Sequence, residues 1–124
     1  MHLNRLLGFK LVRKHKDGVT LECPLRRELL NTAEGLHGGV HATIADAAVG
    51  IAVSNHFRGR RKATTVELKV NYLRPILDGK IVARSRLLRA GNTLCTGYVE
   101  MFDAHRRLSA IATVTYMLLP EDRA

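Results

Sequence analysis

The order of apolar and polar positions divides the chain into segments of different period. Lys10 to Lys14 and Val19 to Cys23 read as two short strands around Asp17-Gly18, a dipeptide that supplies the positive φ of tight hairpin turns. Asn31 to Gly35 is a polar loop that ends in glycine. The apolar run after it, from about Gly38 to Asn55, has helix rather than strand length and is rich in alanine, the strongest helix former. From Ala63 the period changes to two. Val66, Leu68, Val70 and Tyr72 fall on one face and Thr65, Glu67, Lys69 and Asn71 on the other, which predicts a strand with one buried face. Pro75 and Asp78-Gly79 stop it. Lys80 to Leu88, Thr93 to Phe102 and Ser109 to Leu118 predict three further strands, with turns at Gly91-Asn92 and across Asp103 to Arg107.

Short strands, one long apolar helix and then four strands joined by tight turns predict an α+β fold. An antiparallel sheet of about five to six strands packs against the helix. With 124 residues, 46% of them hydrophobic, residues 1–124 form a single domain with a real core. The helix is apolar nearly all round, so one sheet face cannot cover it, and a second subunit is the expected partner for the remainder.

Asp46 interrupts the longest apolar run, which falls short of the roughly 20 clean apolar residues of a membrane span. The first ten residues have too short an apolar core for a secretory signal. These features predict a cytoplasmic protein with no membrane partner. Cys23 and Cys95 are far apart and form no C-x-x-C pair, so reduced thiols are expected.

Twenty Lys and Arg against 11 Asp and Glu give a net charge of +9, which suggests an anionic partner. The tight cluster Arg58-Gly59-Arg60-Arg61-Lys62 holds no aromatic residue, and the chain has no Trp and only three Phe and three Tyr. That composition argues against base stacking and nucleic acid. A multiply phosphorylated small molecule suits the scattered charge better, beside the plainer reading of a solvated basic surface.

Asp46 is the residue the pattern does not accommodate. Ile44, Ala45, Ala47, Ala48 and Val49 surround it, and a carboxylate there is costly unless it is hydrogen-bonded. It either touches water at the helix edge, pairs with an arginine, or acts as a general base or nucleophile. At the helix start, His37-Gly38-Gly39 offers free N–H groups and two glycines that allow close approach, the geometry of an oxyanion hole as well as of an ordinary turn. Gly38 and Asp46 are separated by about 12 Å along a helix, too far to touch one reacting carbonyl. If both act on one atom they come from different chains, related by a two-fold axis across antiparallel helices. His37 and His41 lack a third ligand at metal spacing, so no metal is expected and His37 is read as a hydrogen-bonding residue at the helix start.

The segments Asn31-x-x-x-Gly35-Leu36-His37-Gly38-Gly39, Ala45-Asp46 and Thr65 to Pro75 resemble the hotdog-fold acyl-CoA thioesterases of the PaaI-like group. The resemblance extends from about Asn31 to Leu118 and includes the Arg89-x-Gly91 turn. It implies a long helix wrapped by an antiparallel sheet, assembled as homodimers and often as dimers of dimers (homotetramers), with sites at the interface. Asp46 matches the catalytic carboxylate, Gly38 the backbone oxyanion donor with His37 supporting its turn, Asn31 an amide that positions thioester or water, and Thr65 a hydroxyl that assists the carboxylate. Acyl-CoA is the implied substrate and coenzyme A no separate cofactor. Gly39 would lie against the substrate, and Arg58, Arg60, Arg61 and Arg89 are the candidates for its phosphates. The alternative is a hotdog protein that binds an acyl thioester without hydrolysing it.

Overall fold

The computed structural model describes residues 2–121. A short helix α1 (His2–Leu7) leads into strands β1 (Lys10–Lys14) and β2 (Val19–Pro24). After a single turn of 3-10 helix at Arg27–Leu29 comes the long helix α2 (Gly38–His56), followed by β3 (Ala63–Tyr72), β4 (Lys80–Ala90), β5 (Leu94–Phe102) and β6 (Leu108–Leu118). The six strands form one antiparallel sheet in the order β1-β2-β4-β5-β6-β3. Helix α2 joins strands on opposite sides of that order, so it runs over the face of the sheet and touches β2, β3, β4, β5 and β6. No helix among the described residues is long and apolar enough to cross a membrane.

The core lies between α2 and the sheet, with Ile44, Ala48, Val49 and Val53 of the helix against Leu21, Ile81, Val99, Met101 and Val114. Ser85 fixes the seat of the helix: its buried hydroxyl donates to the Ala48 carbonyl at 2.8 Å and accepts from the Val19 N–H at 3.1 Å. The helix is not fully covered. Gly39, Ala42, Thr43, Asp46 and Gly50, spaced three and four apart, form a stripe that stays open or half-open in one chain.

Three expectations need correction. Gly18 does not have positive φ. The connection from β1 to β2 is a four-residue loop, 15–18, closed by the His15 N–H on the Gly18 carbonyl at 2.8 Å, so no tight primed turn is required. Glycine is needed there for another reason, because a Cβ would collide with the Ser85 carbonyl. Second, the apolar face of β3 is not buried within the chain. Val66, Leu68 and Tyr72 are 51%, 38% and 54% exposed, because β3 is the last strand in the sheet and pairs only with β6.

The third correction bears on the site. Strict alternation would set Thr65 on the face opposite Leu68, but the β3–β6 register slips between Thr65 and Glu67, so that Val66 is the extra residue of a bulge. Thr65 lies opposite Tyr116, and Leu68 and Val70 lie opposite Val114 and Ala112. Directly opposed residues share a face, and Val114 and Ala112 are buried, so Thr65 is turned to the helix side of the sheet.

Candidate active site

Two groups of residues stand out along α2. The first is at its N-terminus. The loop before it is tied down by Asn31, whose Oδ1 accepts from the Ala33 N–H at 2.9 Å and the Gly35 N–H at 3.1 Å, and by the Leu36 N–H on the Ile76 carbonyl at 2.8 Å. His37 is the N-cap, and its Nδ1 accepts from the Gly39 N–H at 2.8 Å. The Val40 and His41 N–H groups bond the His37 carbonyl. Among the described residues this leaves the Gly38 N–H of the first turn without a partner, at the positive end of the helix dipole. The Gly38 carbonyl accepts from the Tyr72 hydroxyl at 2.5 Å, which fixes the orientation of the residue from β3.

A cavity of about 570 Å³ opens beside this turn, lined by Asn31, Leu36, Gly38, Gly39, His41, Tyr72, Leu73, Arg74 and Pro75. His41 is buried, with Nδ1 3.3 Å from the His37 carbonyl and Nε2 3.3 Å from the Ser109 hydroxyl, and its ring meets Tyr72 edge-on at 5.3 Å. Burial lowers its pKa and so favours the neutral ring. The two histidines are thus engaged by separate partners, and no group of three or more potential metal ligands occurs among the described residues.

The second group is two turns along the helix. Asp46 is half-buried, and its Oδ1 accepts two hydrogen bonds: from the Thr65 hydroxyl at 2.7 Å and from the Tyr116 hydroxyl at 2.8 Å. The Tyr116 hydroxyl also lies 2.9 Å from the Asp46 backbone carbonyl. Burial raises the Tyr116 pKa far above its ordinary value; Thr65 works against that rise and the Asp46 carboxylate adds to it, so the phenol stays protonated and able to donate. Sequence reasoning found Asp46 and Thr65 and missed Tyr116. The signal available was Gly50, one turn beyond Asp46 in a helix interior where glycine is unfavourable: a Cβ there would lie 2.5 Å from the Tyr116 hydroxyl.

Asp46 does not line the cavity beside Gly38 of its own chain, whereas Asn31, Gly38 and Gly39 do. The basic candidates are not brought together either. Arg58 and Arg60 are exposed after the C-terminus of α2. Arg61 is engaged elsewhere, donating to the Leu119 carbonyl at 2.9 Å, with its guanidinium 6.0 Å from the Phe57 ring centre. Arg89 lines a separate groove of about 620 Å³ with residues including His15, Lys16, His56 and Arg84. The basic side chain that does line the cavity beside Gly38 is Arg74, to which the sequence pattern assigned no role.

Comparison with known proteins adds to this geometry. A family model described as the thioesterase superfamily matches residues 34–110. The medium/long-chain acyl-CoA thioesterase YigI of Escherichia coli strain K12 is 33% identical over an alignment spanning 95% of this chain and 86% of that protein. Among solved structures, thioesterase HI1161 from Haemophilus influenzae superposes with a TM-score of 0.90 at 20% identity, covering 94% of this chain and 82% of its own. The Escherichia coli PaaI protein superposes with a TM-score of 0.89 at 16% identity, covering 98% and 86%. At those identities the two structures speak for the fold, while the family match and the relative speak for the chemistry.

Proposed function

Starting from a chain that belongs to the thioesterase superfamily and is a thioester hydrolase, we propose that it hydrolyses acyl-CoA thioesters at a site shared by two copies of itself. The Gly38 N–H of one copy holds the developing oxyanion of the thioester carbonyl. The Asp46 carboxylate of the other either takes the proton of a water that attacks that carbon, or attacks it directly to form an acyl anhydride that water then hydrolyses. In both cases the C–S bond breaks, coenzyme A leaves as the thiol with a proton from that water, and the acyl group is released as the acid with Asp46 regenerated. A thioester has a good leaving group, so a carboxylate and one or two oxyanion donors suffice without a Ser-His-Asp triad.

The observation that carries this reading is the environment of Asp46. A half-buried carboxylate in an apolar helix, held among the described residues by Thr65 and Tyr116 through one oxygen, has the other oxygen available for chemistry. Two features support the two-chain arrangement. The open stripe of α2 contains Asp46 and is rich in small residues, which lets a second helix approach closely, and the edge strand β3 offers Val66, Leu68 and Tyr72 beside it. Asn31 has its carbonyl oxygen engaged by the loop, so its role toward the substrate falls to the NH₂ group. The name of the YigI relative makes medium and long acyl chains the first substrates to try.

The test is thiol release from medium-chain, long-chain and aryl acyl-CoA esters, with wild type beside Asp46→Asn. The expected result is turnover by the wild type and a fall of about 10²- to 10⁴-fold in a folded mutant, the range of general acid–base contributions. An Asp46→Asn protein that hydrolyses the same esters at the wild-type rate would sink the assignment of the carboxylate.

A further inference from the structure

Tyr116 reaches Asp46 through a notch in α2. It lies in register opposite Thr65 on the neighbouring strand, so the two side chains rise together from the sheet, and the bulge at Val66 is what gives Thr65 this facing. Both hydroxyls end on the same carboxylate oxygen, Oδ1. Among the described residues no donor is found on Oδ2. The phenol also lies within 2.9 Å of the Asp46 backbone carbonyl, so it meets side chain and main chain of one residue at once. Two hydroxyl donors on one oxygen leave the carboxylate little freedom to rotate.

The notch itself is Gly50. A methyl group at that position would fall 2.5 Å from the Tyr116 hydroxyl oxygen and 3.1 Å from the ring carbon that bears it. Those distances are shorter than van der Waals contact, so any side chain at this position and the present seat of the phenol exclude one another. Nothing about helix formation asks for glycine there; alanine would be the better helix former.

We propose that Tyr116 is a positioning residue: with Thr65 it commits Oδ1 of Asp46 to the protein and presents Oδ2 to the thioester or its attacking water, and Gly50 is glycine to let it do so. This rests on Asp46 being the catalytic carboxylate. Burial keeps the phenol protonated, so it donates and does not compete for protons with the carboxylate. No proton leaves Tyr116 in the reaction, and its part is to hold one carboxylate geometry through the catalytic cycle.

The experiment is a double-mutant cycle on kcat and KM with the best acyl-CoA substrate, using Tyr116→Phe, Gly50→Ala and the pair. A hydrogen bond to a charged group contributes enough that its loss should lower kcat roughly 10- to 100-fold, with KM little changed. Gly50→Ala should lower kcat to a similar degree, because the added methyl pushes the phenol off Asp46. In the Tyr116→Phe background the same substitution should cost almost nothing further, since there is no hydroxyl left to displace. The proposal is overturned if Tyr116→Phe keeps the wild-type kcat, or if the losses from Tyr116→Phe and Gly50→Ala multiply. Should Tyr116→Phe be poorly folded, Gly50→Ala alone decides: wild-type kcat in that variant overturns the notch. An Asp46→Asn enzyme that still turns over would remove the catalytic reading itself, a failure distinct from either of these.

Discussion

The two halves of the site lie on the same helix and are built by opposite means. At the N-terminus of α2 the proposed working group is backbone, the N–H of Gly38, and the residues that prepare it are mostly its sequence neighbours: Asn31 closing the loop, and His37 taking the Gly39 N–H. In the middle of α2 the proposed working group is a side chain, the Asp46 carboxylate, and its partners come from strands 19 and 70 residues away, Thr65 and Tyr116. A backbone donor points where its helix points, so a short loop can aim it. A carboxylate on a flexible stem in an apolar helix must be both solvated and aimed by something outside the helix. Local chain geometry can therefore prepare the oxyanion half, whereas the carboxylate half depends on sheet register.

After Asp46→Asn, the most damaging change is one that prevents the proposed meeting of the two halves across two chains. Leu68→Lys adds a charge to the edge strand at a side chain that is 38% exposed in one chain. Sedimentation should show dissociation to monomer, and activity should fall with it by an order of magnitude or more. A fully active monomer would require both halves to act within one chain. Next in size is Thr65→Ala, which takes one of two donors from Asp46; hydrogen bonds to charged groups contribute about 1.5–3 kcal/mol, so kcat should fall roughly 10- to 100-fold, and Thr65→Ser should restore most of it. An unchanged kcat in Thr65→Ala would show that the bulge at Val66 serves packing alone.

At the other half the effects should be smaller. Tyr72→Phe removes a neutral hydrogen bond to the Gly38 carbonyl, a contribution of about 0.5–1.5 kcal/mol, and a loss of several-fold in kcat is expected. A loss as large as that of Thr65→Ala would mean that the backbone donor also needs tertiary support. The smallest effect concerns charge. Arg74→Ala, at the cavity beside Gly38, should raise KM for acyl-CoA several-fold, and the raised KM should depend less on salt. Arg58→Ala with Arg60→Ala tests the exposed cluster after α2; if this pair raises KM more than Arg74→Ala does, the phosphates lie at the far end of the helix. Arg61 is left out of that comparison because its guanidinium ties down the C-terminal segment, and its loss would be read in stability.

The long helix, the strands and the oddity of Asp46 were legible in the order of residues alone, because hydrophobic period, alanine content and turn residues act over short stretches of chain. So was the helix start at His37-Gly38-Gly39, whereas the surplus apolar surface expected of α2 is not there: Val40, Ile44, Val49 and Val53 are buried within one chain, and what stays open or half-open is Gly39, Ala42, Thr43, Asp46 and Gly50. Sequence patterning went astray where the answer depended on neighbours in space. Alternation from Val66 to Tyr72 looked like a buried face because a period of two records which side a residue is on, not whether the strand has a neighbour to cover it; β3 is an edge. Gly18 looked like a turn glycine and proved to be one of close approach. That Thr65 and Tyr116 share one oxygen of Asp46 emerged from the folded sheet and from nothing shorter in range. A one-residue bulge is set by how β3 pairs with β6, and a slip of one residue moves a side chain to the other face of the sheet.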